Sequence, residues 1–146
     1  MCYGWLPVVT FFYLQSGIIT PHLYLMALPI SFSVFNVILL NEFPDYEADL
    51  ATGKANLLVR LGHRRVVQIY IAAAVLGWAA FILAAMYASI PFALILYVPS
   101  LGVSIGLVYR MIRGGWRGRE EIERLCGANI LVNLGTSASL VAGLLL

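Results

Sequence analysis

The chain has 146 residues, of which 62% are hydrophobic and 11% are charged. Soluble domains contain about 25% charged residues, so this composition excludes an ordinary soluble protein and predicts an integral membrane protein. The net charge is +2 and the nine basic residues are divided between two segments, which argues against nucleic acid as a partner. The two cysteines lie far apart and form neither a disulfide framework nor a metal pair.

Five apolar segments have about the length of a bilayer crossing, although the first is the shortest. A crossing takes about 20 helical residues, and a helix satisfies its own backbone hydrogen bonds in lipid. The sequence therefore predicts an all-α fold over residues 1–146, a polytopic bundle of transmembrane helices. The segments are residues 3–19, 23–40, 66–87, 91–109 and 125–146.

Amides interrupt two of these segments. Asn129 and Asn133 lie four residues apart on one face of the last segment, and Asn36 lies near the end of the second. An amide within a membrane usually bonds another helix, so we favour a packing role over substrate contact.

Small residues with helical spacing occur in the last two segments. Gly102 and Gly106 form a GxxxG pattern, and Ser139 and Gly143 repeat its spacing. Such residues let helix backbones approach closely, either within the bundle or in a dimer. We favour contact within the bundle for both pairs.

The charged residues predict the orientation. All nine basic and seven acidic residues lie in two segments, 42–65 and 110–124. With five crossings, both segments lie on the same side of the membrane, and the positive-inside rule makes that side cytoplasmic. We therefore predict a cytoplasmic N-terminus and an external C-terminus, and we expect the membrane to be a prokaryotic plasma membrane.

The two charged segments differ in what they can do. The second contains five arginines offset by three glutamates, together with Trp116. We interpret it as an interfacial loop that fixes the topology and contacts anionic lipid. The first contains the residues best suited to chemistry.

Asn41, Asp45 and Asp49 follow one another at intervals of four, so they can share one stripe of a helix. Pro44 suits the first turn of a helix and Gly53 suits its end. We predict that the second apolar helix ends near Asn41 and that a short helix begins at Pro44 and stops at Gly53.

Two carboxylates and an amide, with no His or Cys close in sequence, suit a hard cation such as Mg²⁺. That ion is commonly held by one or two carboxylates together with substrate phosphates. Lys54 and Arg60 follow, as a diphosphate needs when a metal has neutralised part of its charge. The alternative is a solvated loop whose charges only fix the topology, and the D-x3-D spacing alone does not separate the two.

The complete string is more specific. Residues 41–62, NEFPDYEADLATGKANLLVRLG, resemble the second aspartate motif of the UbiA-type intramembrane prenyltransferases. The similarity is closest to the 1,4-dihydroxy-2-naphthoate branch of menaquinone synthesis, and residues 11–17, FFYLQSG, are similar to a Tyr-x-Gln-[Thr/Ser]-Gly segment of that branch. The resemblance implies that residues 1–146 correspond to the C-terminal half of the family, the last five of its nine helices.

This resemblance implies a reaction. A polyprenyl group would be transferred from a polyprenyl diphosphate to an aromatic quinone precursor, with Mg²⁺ bound between the aspartates and the diphosphate. Asp45 and Asp49 would be catalytic metal ligands with Asn41 beside them. Lys54 and Arg60 would contact the diphosphate, although Arg60 could equally anchor the loop.

The resemblance also suggests residues for the acceptor. Tyr13 and Gln15, within residues 11–17, are candidates for the acceptor end of the pocket. Three positions in the motif depart from the family pattern. Glu42 either adds a carboxylate near the metal or is a surface charge, and Ala55 and Asn56 replace a common basic residue and threonine.

The largest departure concerns the family's first motif, N-x3-D-x3-D, which has no counterpart in this sequence. That motif supplies the other half of the metal cage, so we expect the chain to be incomplete alone and to need an N-terminal half. It would then be a fragment, a product of a late start, or one half of a split enzyme.

Three other functions are considered. CDP-alcohol phosphotransferases also end a motif in D-x3-D, but they need a glycine where this chain has Asn41. A non-catalytic membrane subunit or relic half of a prenyltransferase remains an alternative. A cation-transport half is a third, although charges within the spans would favour it and none is present.

Overall fold

The computed structural model describes residues 2–146, which form seven α-helices and no strand. The predicted all-α fold is therefore confirmed. A 3₁₀ turn, Gly115–Arg117, precedes the last helix. The helices are α1 (Cys2–Ser16), α2 (Pro21–Asn41), α3 (Tyr46–Ala51), α4 (Leu57–Leu61), α5 (His63–Tyr87), α6 (Pro91–Ile112) and α7 (Arg119–Leu145).

Four helices, α2, α5, α6 and α7, are long and apolar enough to cross a membrane. They contain the last four predicted segments almost entirely. The first prediction, residues 3–19, extends past α1, which has 15 residues and is shorter than the roughly 20 that a crossing takes. Gly17 explains its end, because its φ of +69° leaves the helical region.

The bundle is built around α2, which packs against α1, α5 and α7, while α6 packs against α5 and α7. The helices α2 and α6 each begin with a proline, Pro21 and Pro91, whose missing N–H is no loss at that position. Tyr70 and Phe81 of α5 and Met111 of α6 are among the largest fully buried side chains. The core therefore lies between the four long helices.

The small residues of the last segment bring two helices into close contact. A Cβ added to Gly143 would lie 2.5 Å from the Cβ of Ala93, so α7 and α6 approach closely there, as predicted. The prediction for Gly102 and Gly106 was wrong. Both are exposed, and an added Cβ at either would meet no atom within 4 Å. Their spacing permits close packing, but α6 turns this face away from the bundle.

The amides within the spans bond other helices, as predicted. Asn36 on α2 donates from Nδ2 to the backbone oxygen of Tyr70 at 3.3 Å. The Tyr70 hydroxyl donates in turn to Oδ1 of Asn129 on α7, also at 3.3 Å. Asn133 donates from Nδ2 to the Ser33 hydroxyl at 2.6 Å. These contacts tie α2, α5 and α7 together.

Both charged segments lie at one end of the bundle. The ring of Phe43, just after α2, lies 6.4 Å from the ring of Trp116, just before α7. This shared end agrees with the arrangement inferred from the loops, and its cytoplasmic orientation stays a prediction.

Candidate functional site

Residues 42–62, which we call the aspartate loop, connect α2 to α5. The helix α2 ends at Asn41, as predicted, and Asp45 precedes the short helix α3. The Asp49 N–H donates to the Asp45 carbonyl oxygen at 2.9 Å, so one helical turn separates the two aspartates. The predicted start at Pro44 is two residues early, and Gly53, with φ of +70°, follows the end of α3.

Asp49 is buried and is hydrogen-bonded through both carboxylate oxygens. Only 8% of its surface is exposed, and Lys54 Nζ lies 3.1 Å from its Oδ1 and 3.2 Å from its Oδ2. The Asn56 amide donates to Oδ2 at 2.6 Å. The Lys54 N–H also donates to the Asp49 carbonyl oxygen at 2.9 Å. This carboxylate is therefore held in one position by a cation and an amide.

Two side chains satisfy the N-terminus of α4 and close the loop. Asn56 Oδ1 accepts the Val59 N–H at 2.8 Å, and Glu42 Oε2 accepts the Leu58 N–H at 2.8 Å. Helix N-termini leave N–H groups unpaired, so such acceptors stabilise them. Glu42 thus ties α4 to the end of α2 through Oε2, and the two roles considered for it, a metal carboxylate or a surface charge, stay predictions.

Asp45 differs from Asp49. It is exposed, and within residues 2–146 its carboxylate makes no hydrogen bond or ion pair. Asn41 is likewise exposed at the end of α2. One open carboxylate therefore stands a helical turn from one that is held.

This donor set fits Mg²⁺ as part of a site. In the described part of the chain, no three His, Cys, Asp or Glu side chains converge as a metal group. Mg²⁺ does not require a closed protein cage, because the ion keeps several waters and binds one or two carboxylates together with phosphates. Asp45, Asp49 and Asn41 offer oxygen ligands of the kind it prefers.

The predicted diphosphate ligands take different positions. Lys54 contacts Asp49, yet 63% of its side chain is exposed and can meet a ligand. Arg60 lies in the last turn of α4 and is exposed. Its side chain makes no hydrogen bond or ion pair with any described residue, so no contact supports the anchoring role considered for it.

Tyr13 and Gln15 lie far from the aspartates. Gly4 packs against Ser31, so α1 runs antiparallel to α2 and its end lies beside Pro21. The 21 residues of α2 span about 30 Å, which separates Gln15 from the aspartate loop. Gln15 lines an apolar cavity of about 520 Å³ there. The structure does not bring these candidates to the aspartates, and their role stays a prediction.

Four aromatic side chains at the aspartate loop, two of them within it, were not singled out from the sequence as a group, and we call them the aromatic cluster. The His63 ring lies 4.5 Å from Tyr46, 4.8 Å from Trp116 and 5.7 Å from Phe43. The cluster lines a cavity of about 380 Å³, together with Glu47, Arg117 and Arg119. The sequence did offer one sign of this cluster, because Trp116 and His63 both lie beside helix ends that are predicted to be on the same side of the membrane.

A family model, the UbiA prenyltransferase family, matches residues 1–130. The chain belongs to the UbiA prenyltransferase family. The match contains both the aspartate loop and the aromatic cluster. Family membership points to a prenyltransferase, and the four long apolar helices point to an integral membrane protein. Searches of curated proteins and of solved structures gave no significant match.

Proposed function

We propose that this UbiA-family chain takes part in Mg²⁺-dependent transfer of a polyprenyl group from a polyprenyl diphosphate to an aromatic quinone precursor of the menaquinone type. One observation carries the proposal. Asp45 is open, and one helical turn away Asp49 is held by Lys54 and Asn56. An open carboxylate beside a carboxylate–ammonium pair suits a metal bound to a diphosphate.

Asp45 and Asp49 would hold the ion, with Asn41 beside them. When bound, Mg²⁺ would neutralise charge on the diphosphate and so make it a better leaving group. Asn56 has a supporting role here. Because it bonds Asp49 independently of Lys54, the carboxylate keeps its position when the lysine turns towards a phosphate.

Lys54 and Arg60 would supply positive charge to the diphosphate. The Lys54 ammonium has three donors, and the two Asp49 oxygens leave it able to bond a phosphate oxygen as well. The Arg60 guanidinium is unengaged among the described residues and presents a planar fork that matches phosphate oxygens. Together they would offset the charge that the metal leaves.

The acceptor is an electron-rich aromatic ring. It would form a bond to the prenyl carbon as the diphosphate leaves, and the ring carbon would then lose the group it carried, a proton or, at a carboxylate-bearing carbon, carbon dioxide. Tyr13 and Gln15 lie about 30 Å from the aspartates, by the length of α2. They can therefore join this function only by contacting the far end of a long substrate.

The family resemblance also supports a second half. We propose that a segment with N-x3-D-x3-D completes the metal site at the cytoplasmic mouth of the bundle. The open carboxylate of Asp45 is suited to sharing an ion with such a partner.

A transfer assay tests the proposal. Membranes that contain this chain together with the first aspartate motif would receive a prenyl diphosphate and dihydroxynaphthoate with Mg²⁺. We expect Asp45→Asn and Asp49→Asn to abolish product formation, whereas Glu47→Gln, an exposed neighbour on α3, should not change it. Unchanged turnover in both aspartate variants would contradict the catalytic role and favour a non-catalytic subunit.

A further inference from the structure

A small cavity lies at the centre of the bundle, where α2, α5, α6 and α7 meet. Its volume is about 20 Å³, and each of the four helices contributes to its wall, among others through Asn36, Trp78, Ser104 and Asn129. A water molecule needs roughly 10–15 Å³ of such space. The cavity therefore has room for one water and for no larger ligand.

Two of the residues that line it each have one side-chain polar atom without a protein partner. Asn36 Oδ1 and Asn129 Nδ2 are buried and make no hydrogen bond within the described chain. Their residues are 5% and 4% exposed. The other atom of each amide is engaged through Tyr70, by its backbone oxygen for Asn36 and by its hydroxyl for Asn129. One acceptor and one donor are therefore left, in surroundings where unpaired polar groups are costly.

Rotating the amides does not remove this need. Turning Asn36 would place its oxygen against the Tyr70 carbonyl oxygen, two acceptors in contact. Turning Asn129 would only exchange which of its two atoms is left, because the Tyr70 hydroxyl can donate or accept. As the amides stand, the site calls for a group that both donates and accepts; with Asn129 turned, it calls for a group that donates twice, and a water molecule meets either need.

We propose that one water molecule binds in this cavity and joins α2 to α7. It donates to Asn36 Oδ1 and accepts from Asn129 Nδ2. Ser104 can supply a third bond, since its oxygen accepts from Trp78 Nε1 at 3.0 Å and its proton has no acceptor among the described residues. Buried waters make about three hydrogen bonds, which this set provides.

The bridge has a consequence for the charged end of the bundle. Asn36 lies about 8 Å along α2 from Asn41, where the aspartate loop begins. Asn129 lies on α7, which starts directly after the second charged segment. A water that fixes α2 against α7 therefore fixes the two charged segments relative to each other, whatever reaction they serve.

The first test is a structure of the membrane-embedded protein at a resolution that shows ordered waters. We expect one water within hydrogen-bond distance of both Asn36 and Asn129. A direct bond between the two amides, a cavity without density, or density for a larger molecule would each overturn the proposal.

Substitutions give a second test by melting temperature in one detergent. Asn36→Leu and Asn129→Leu should each lower the Tm by several degrees, since each leaves the water and the other amide poorly bonded. The double variant should lose less than the sum. As a control, Asn36→Leu combined with Gly143→Ala should give additive losses, because Gly143 contacts Ala93 away from this cavity.

Tyr70 contacts both amides and could couple them without a water. The comparison of the two single variants with the double variant is therefore repeated in a Tyr70→Phe background, which lacks the hydroxyl that bonds Asn129. Coupling that persists in this background supports the water bridge. Additive losses, either in the parent or in this background, would overturn it.

Discussion

Replacing Asn56 by alanine tests how the aspartate loop holds Asp49. The Asn56 amide donates to Asp49 Oδ2 at 2.6 Å, and its oxygen accepts the Val59 N–H at 2.8 Å. A hydrogen bond to a charged group contributes about 1.5–3 kcal/mol and an N-cap about 1 kcal/mol. Losing both should cost the loop about 3 kcal/mol, which is about a 100-fold change in a local opening equilibrium.

Amide hydrogen exchange measures this opening. We expect the Val59 amide to exchange about 100-fold faster in Asn56→Ala than in the unmodified protein. Asn56→Thr separates the two bonds, because its hydroxyl can cap α4 but supplies no amide to Asp49. The Val59 amide should therefore exchange roughly fivefold more slowly in Asn56→Thr than in Asn56→Ala. Unchanged exchange in the alanine variant, or identical exchange in both variants, would refute this account of the loop.

Three further substitutions test other contacts. Glu42→Ala should speed exchange of the Leu58 amide about tenfold, whereas Glu42→Gln keeps an acceptor and most of the protection. Equal exchange rates in the two variants would contradict the role of Glu42 as acceptor of the Leu58 N–H. Lys54→Met should raise the KM for the prenyl diphosphate about tenfold, and an unchanged KM would remove its proposed role. Gly143→Ala should lower the Tm by roughly 2–8 °C through its clash with α6, while Gly106→Ala should not lower it.

The fold could be predicted because its determinants are local or compositional. Long apolar runs identify membrane helices, and Pro21, Asn41 and Gly53 mark where helices begin or end. The first crossing was overestimated since hydropathy continues to residue 19, whereas Gly17 ends the helix. Apolar character alone does not say where the backbone leaves the helical conformation.

The aspartate spacing was predictable, but the contacts that hold it were not. Glu42 reaches Leu58 and Asn56 reaches Asp49 only after the loop has folded back, so neither bond has a spacing signal in the sequence. The GxxxG interpretation failed for a related reason. Small residues show that close approach is possible, but they do not identify the helix that approaches.

The aromatic cluster is another contact that has no spacing signal in the sequence, and its residues lie farther apart in the chain. His63 begins α5 and Trp116 precedes α7, with two membrane helices between them in the chain. Their rings stack at 4.8 Å because the bundle returns the chain to the same end. Such a contact follows from the tertiary arrangement of α2, α5 and α7, which hydropathy and residue spacing do not reveal.

We propose that Asp45 and Asp49 bind a diphosphate through Mg²⁺. Calorimetry with a prenyl diphosphate analogue that cannot lose its diphosphate, added to the membrane protein with its first-motif half, tests this directly. We predict binding at least about tenfold tighter with Mg²⁺ than with a chelator, and a loss of about tenfold or more in Asp45→Asn. Equal affinity without Mg²⁺, or unchanged affinity in Asp45→Asn, would contradict the claim.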